Sequence, residues 1–157
     1  MFCDCITLGG RMLLDVGPKE DGTLDERQEK VLEDLGTWIS DHDEAVHGTG
    51  KGLNYAQFLG RSTLSADKKT IYLFVYDRPR EALCVKGVKT PVKKVTVLHT
   101  GEELRFSYTG ALPWSGIPGT LWIWAEGMKE HPFATVLKVE LEGEITYNLG
   151  EVVTCND

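Results

Sequence analysis

Gly9-Gly10-Arg11-Met12-Leu13-Leu14-Asp15-Val16-Gly17-Pro18, followed by Lys19-Glu20-Asp21-Gly22-Thr23, joins an apolar run to a turn and a helix start. Met12 to Val16 is a short apolar run between a glycine pair and a Gly-Pro stop. A run that is apolar on both faces reads as a strand buried on both sides, as in parallel sheets. Asp21-Gly22 then predicts a turn, and Thr23 with Glu26 three residues later reads as a capping box opening a helix. One strand and one helix make half of a β/α architecture. A parallel sheet needs further such units, and the chain goes on to something else.

The helix is predicted over about Leu24 to Ser40. Val31, Leu32, Leu35, Trp38 and Ile39 fall on one helical face, with Glu26, Glu29, Lys30, Glu33 and Asp34 on the solvent side. Asp25 and Glu26 suit the positive end of the helix dipole. Met1 to Leu8 reads as a last helical turn. His47-Gly48-Thr49-Gly50-Lys51-Gly52 reads as a flexible joint, where the pattern changes from helical to strand-like.

Beyond Arg61 the chain alternates as antiparallel β-structure does. Strands are predicted at Arg61 to Leu64, Thr70 to Tyr76, Ala82 to Val85, Val92 to Leu98, Leu104 to Tyr108 and Thr120 to Ala125. A last one carries Leu137, Val139 and Leu141 against Lys138, Glu140 and Glu142. A turn at Ala66-Asp67-Lys68 makes the first two a hairpin. Short alternating strands at turn-punctuated spacing predict a two-sheet β-sandwich. The expected architecture is therefore mainly β: a C-terminal antiparallel sandwich over residues 54–157, preceded by one strand and one helix in residues 1–46.

Composition narrows the function. The 157 residues are 41% hydrophobic and 26% charged, which is globular rather than disordered. A formal charge of −7 argues against nucleic acid and anionic membranes, both of which need a basic face. No apolar run approaches the ~20 residues of a membrane span. Met1 to Leu8 carries Asp4 and lacks a basic start, so no signal peptide is expected. Cys3, Cys5, Cys84 and Cys155 match no zinc spacing and read as reduced, incidental thiols.

Several constellations look chemical at first sight. His42 and His47 with Asp41, Asp43 and Glu44 lack metal-site spacing and read as a solvated helix end. Gly48-Thr49-Gly50-Lys51 has Gly52 where a phosphate loop needs Ser or Thr. Glu102-Glu103 and Glu140/Glu142 read as surface charge. Trp122 and Trp124 share one face of a strand, opposite Leu121, Ile123 and Ala125. With Trp114 they form either a stacking platform for sugar rings or an interface against another domain or the helix, the interface being favoured.

The first stretch and Asp21-Gly22-Thr23 resemble the final barrel strand and loop of family 29 glycoside hydrolases, the α-L-fucosidases. Leu35-Gly36-Thr37-Trp38-Ile39 with Glu44-Ala45-Val46-His47-Gly48-Thr49 is similar to that family's closing helix and exit segment. The segments 69–75, 92–95 and 134–143 are similar to its C-terminal β-sandwich. Asp15 stands where the family usually has Asn.

The resemblance implies that the strand and helix are the last unit of a (β/α)8 barrel. It implies a parent reaction of retaining hydrolysis of terminal α-L-fucosyl groups, with no cofactor or metal. Retaining glycosidases need two carboxyl groups roughly 5–5.5 Å apart, and no position here matches the family's catalytic motifs. No catalytic residue is therefore carried over, and the chain is expected to be an inactive accessory region. Asp15 is a candidate sugar-pocket residue, though a role in fixing the Gly17-Pro18 turn is favoured. The expected partners are a catalytic barrel or a second copy, with fucosylated glycans as candidate ligands. The alternatives are a free-standing carbohydrate-binding module using Trp114, Trp122 and Trp124, or a subunit that completes a split glycosidase. Family members are often secreted, lysosomal or periplasmic, and no residue here chooses among these compartments.

Overall fold

The computed structural model describes residues 1–77, 79–112, 114 and 116–147. Among them lie three helices, α1 (Phe2–Thr7), α2 (Glu26–Asp41) and α3 (Asp43–Val46). Eight strands follow: β1 (Thr49–Lys51), β2 (Arg61–Ser65), β3 (Thr70–Val75), β4 (Leu83–Lys86), β5 (Val92–Val97), β6 (Arg105–Thr109), β7 (Thr120–Trp124) and β8 (Thr135–Leu141). The strands form two antiparallel sheets, one ordered β1-β2-β3-β8-β5 and one ordered β4-β7-β6. The mainly β reading holds.

Period-two patterning builds the sandwich. On β3, Ile71, Leu73 and Val75 face the space between the sheets; on β8, Leu137, Val139 and Leu141 do so. Register sets Ile71 opposite Val139 and Leu73 opposite Leu137. Val95 and Val97 of β5 join them from the same sheet, and Val85 of β4 with Leu121 and Ile123 of β7 closes the layer from the other. The hairpin turn forms where expected, with Asp67 accepting from Ser65 Oγ at 2.6 Å and from the Lys69 amide at 3.1 Å.

The outer face of the five-stranded sheet is also buried. Tyr72 and Phe74 of β3 and Val136 of β8 pack with Ala134 against Trp38 and Ala45, with Phe2, Ile6 and Ile39 at the margin. This helical layer explains why β3 is a continuous buried run inside an antiparallel sheet. Polar ties fasten it. Trp38 Nε1 donates to the Ala134 carbonyl at 2.8 Å, and Thr63 Oγ1 donates to the Ala45 carbonyl at 2.8 Å. Arg61 meets Asp4 at 2.6 Å, and Lys138 meets Glu44 at 2.8 Å. Tyr72 donates its hydroxyl to Glu44 at 3.0 Å; burial and that carboxylate push its ionisation well above the usual phenol range.

Three local readings are corrected. Met12 to Val16 is not a strand: it is irregular, belongs to no ladder, and leaves Leu13 95% exposed. A strand is held by neighbours along its edges, and this run has none among the described residues. The helix is capped by Asp25, which accepts from the Arg27 amide at 2.9 Å, rather than by Thr23. Thr23 is engaged by Asp21 through both its amide and its hydroxyl. Residues 47–52 are not simply a joint, since Thr49–Lys51 forms an edge strand against β2. Gly52 is needed just after it, because a Cβ there would lie 2.4 Å from the Ser62 carbonyl oxygen.

Candidate functional site

The apolar face of α2 is only partly covered. Trp38 is 3% exposed, Leu32, Leu35 and Ile39 are half-buried, and Val31 is 58% exposed. Leu14, Val16, Val31 and Leu32 line an open groove whose rim includes Asp15, Asp25 and Arg27. A second groove runs along the same helix past Val31, Leu35 and Trp38 to Phe2, Tyr76 and Phe133. Asp15 thus sits exposed beside this apolar band rather than in a closed pocket.

Trp122 and Trp124 project from the outer face of the smaller sheet, since Leu121 and Ile123 take the inward positions of β7. They line an open groove with Arg80, Glu81, Ser107 and Glu126. Trp122 Nε1 donates to Thr109 Oγ1 at 2.7 Å, and the Arg105 guanidinium lies 5.3 Å from the centre of the Trp124 ring. The helix α2 packs on the other sheet, so it does not cover these indoles. Trp114, 85% exposed, is not part of the groove. The four residues singled out in the sequence therefore fall at separate places; only Trp122 and Trp124 come together.

The Glu102-Glu103 pair noted in the sequence has structural partners. Glu102 accepts from the Lys129 amide at 3.1 Å, and Glu103 pairs with Lys94 at 3.4 Å. Among the described residues no group of three or more His, Cys, Asp or Glu is disposed to hold a metal ion.

The histidines depart from their sequence reading. His47 is exposed and bonds Asp43 at 2.7 Å, as a solvated helix end would. His42 is wholly buried instead, stacked on Trp38 with ring centres 4.6 Å apart. His99 and His131, which the sequence did not single out, stand 5.6 and 5.1 Å from His42 and 5.3 Å from each other. Burial holds His42 and His99 below the ordinary imidazole range.

The chain is a two-sheet β-sandwich that carries a helical layer on one sheet and an open aromatic groove on the other. The family model for α-L-fucosidase matches residues 1–44, the segment that bears the uncovered band. The α-L-fucosidase of Dictyostelium discoideum is 27% identical over 81 residues, 51% of this chain and 18% of that protein. That of Branchiostoma floridae is 24% identical over 110 residues, 68% of this chain and 24% of that protein. The chain thus spans less than a third of either relative's length.

Among solved structures, α-L-fucosidase from Vibrio sp. strain EJY3 superposes with a TM-score of 0.77 at 23% identity, covering 94% of this chain and 26% of that one. Isoenzyme 1 from Paenibacillus thiaminolyticus gives 0.73 at 24%, covering 89% and 32%. The chain is thus similar to α-L-fucosidases over part of their length, and its fold matches part of the solved ones.

Proposed function

We propose that this chain serves as the non-catalytic C-terminal region of an α-L-fucosidase, packing on a catalytic barrel. The barrel would perform retaining hydrolysis of terminal α-L-fucosyl groups. In this reading residues 1–46 are the terminal unit of the barrel and residues 54–157 the sandwich. The observation that carries it is the exposed apolar band of Leu13, Leu14 and Val31, with Leu32 and Leu35 half-covered beside them. Contiguous exposed apolar surface on an otherwise well-packed domain marks an interaction site, and this one falls on the residues the family model matches. The chain contributes shape and cover, and the carboxylate chemistry belongs to the barrel.

The test is release of chromophore from a chromogenic α-L-fucoside by the purified chain. No release above a buffer blank is expected. Turnover that co-elutes with the chain and falls in Asp15→Asn would overturn the reading.

A second reading is favoured by the open groove at Trp122 and Trp124. Indole faces stack on sugar rings, and the flanking Arg80, Glu81 and Glu126 supply hydrogen-bonding groups for hydroxyls. A carbohydrate-binding module would change its tryptophan emission on titration with a fucosylated oligosaccharide. Unchanged emission through millimolar ligand would exclude it.

A further inference from the structure

Three imidazoles from three elements meet at the C-terminal end of α2. His42 follows the last residue of that helix, His99 lies in the turn after β5, and His131 lies in the loop before β8. His42 Nδ1 is 2.8 Å from the Trp38 carbonyl. A carbonyl only accepts, so Nδ1 carries the proton and Nε2 presents a bare lone pair. Among the described residues that buried Nε2 has no hydrogen-bond partner, and neither has His99 Nδ1. His131 uses Nδ1 to accept from the Phe133 amide at 3.4 Å, while its Nε2 lies 3.4 Å from Asp41.

Among the described residues, the charged groups that act on the cluster include Asp41 from the helix and Lys129 from the loop before β8. The neutral cluster is tolerated because imidazoles pack as flat aromatic rings, His42 lying on Trp38. A proton on His42 Nε2 would place a cation in a fully buried site without an acceptor and about 5 Å from two further imidazoles.

We propose that His42 and His99, packed against the His131 ring, form an acid-sensitive latch that fastens the end of α2 to the sandwich when neutral and releases it when protonated. The latch sits at the seam between the helical layer and the loops flanking β5 and β8, so release lifts α2 from Phe74 and Val136 without disturbing the core between the sheets. The sign follows from linkage. A histidine held below its ordinary value of 6.5 takes up its proton sooner in the undocked state. Docking is then at full strength above 6.5 and weakens as pH falls below it. Each coupled proton changes the docking equilibrium by up to about tenfold per pH unit.

The test is peptide-resolved hydrogen exchange from pH 7.5 to 4.5, expressed as protection factors so that the intrinsic pH dependence cancels. Protection over residues 26–41 is expected to fall about tenfold between pH 6.5 and 5.5, while β8 keeps its protection. In His42→Phe, which keeps a ring on Trp38 but takes no proton, the fall should shrink to under threefold. Constant α2 protection in the unsubstituted chain, or an equal fall in His42→Phe, would overturn the latch. Should that variant fail to fold, carbon-detected titration of His42 in the unsubstituted chain decides the matter. A midpoint below 6.5 coincident with the loss of α2 protection supports the proposal, and one at or above 6.5 refutes it.

Discussion

Replacing Trp38 with alanine tests whether the helical layer is a separately docked unit. Trp38 is 3% exposed, stacks on His42, meets Phe2 edge-on at 6.1 Å and donates to the Ala134 carbonyl. Truncating a buried tryptophan to alanine costs about 3–5 kcal/mol through lost transfer energy and the cavity left behind. A further ~1 kcal/mol comes from the buried carbonyl of Ala134 losing its donor. The outer layer has little to set against this, because Trp38 and Ala45 are the fully buried apolar residues it contributes. A helix the length of α2, 16 residues, is marginal in water without tertiary contacts. The expected outcome is therefore local: Trp38→Ala melts α2 and leaves the sandwich folded.

Urea denaturation followed at 222 nm and by two-dimensional amide spectra measures this. The helical signal of Trp38→Ala should be lost before denaturant is added, while β3 and β8 resonances stay dispersed and unfold in one step. Leu137→Ala, in the layer between the sheets, should instead lower the whole transition by about 2–5 kcal/mol. If Trp38→Ala keeps α2 intact, or unfolds helix and sheets together, the two-layer energetics are wrong.

Two further outcomes probe local chemistry. Asp25→Ala should destabilise α2 by about 1 kcal/mol through loss of its cap, whereas Thr23→Ala should leave helix stability nearly unchanged; thermal melts at 222 nm distinguish them. Gly52→Ala should cost more than about 2 kcal/mol, since its methyl would drive into the β2 backbone at Ser62, and an unchanged melting temperature would show that the 52–54 segment shifts freely.

Much of the sandwich was legible in the sequence because alternation is a direct record of burial. Leu137, Val139 and Leu141 against Lys138 and Glu140 assign inward and outward faces without reference to any other element. The buried run of β3 was legible as a strand, but its second buried face depended on where α2 would dock. Met12 to Val16 shows the opposite failure. An apolar run signals a demand for cover on both faces, and nothing in the run itself states that neighbours will meet it.

The cap was misassigned because Asp21 and Asp25 both compete for local backbone donors, and Thr23 was taken by the first. His42 read as solvated because it follows a charged helix end; its burial comes from Trp38 one turn earlier and from rings supplied by the ends of neighbouring strands. His99 and His131 are far apart along the chain, and adjacency of β5 and β8 is what joins them. No spacing rule reports such a meeting. The Trp122/Trp124 pair, by contrast, lay within one strand and was readable.

In this reading a folded sandwich carries an unfinished apolar interface on residues 12–16 and α2. Hydrogen exchange of the unsubstituted chain at neutral pH, at a concentration where sedimentation shows a monomer, tests it most directly. Amides of residues 12–16 should exchange within seconds and those of β3 and β8 over hours or longer. Protection of residues 12–16 equal to that of β8 in the monomer would mean that this segment is already covered, and the interface would not exist.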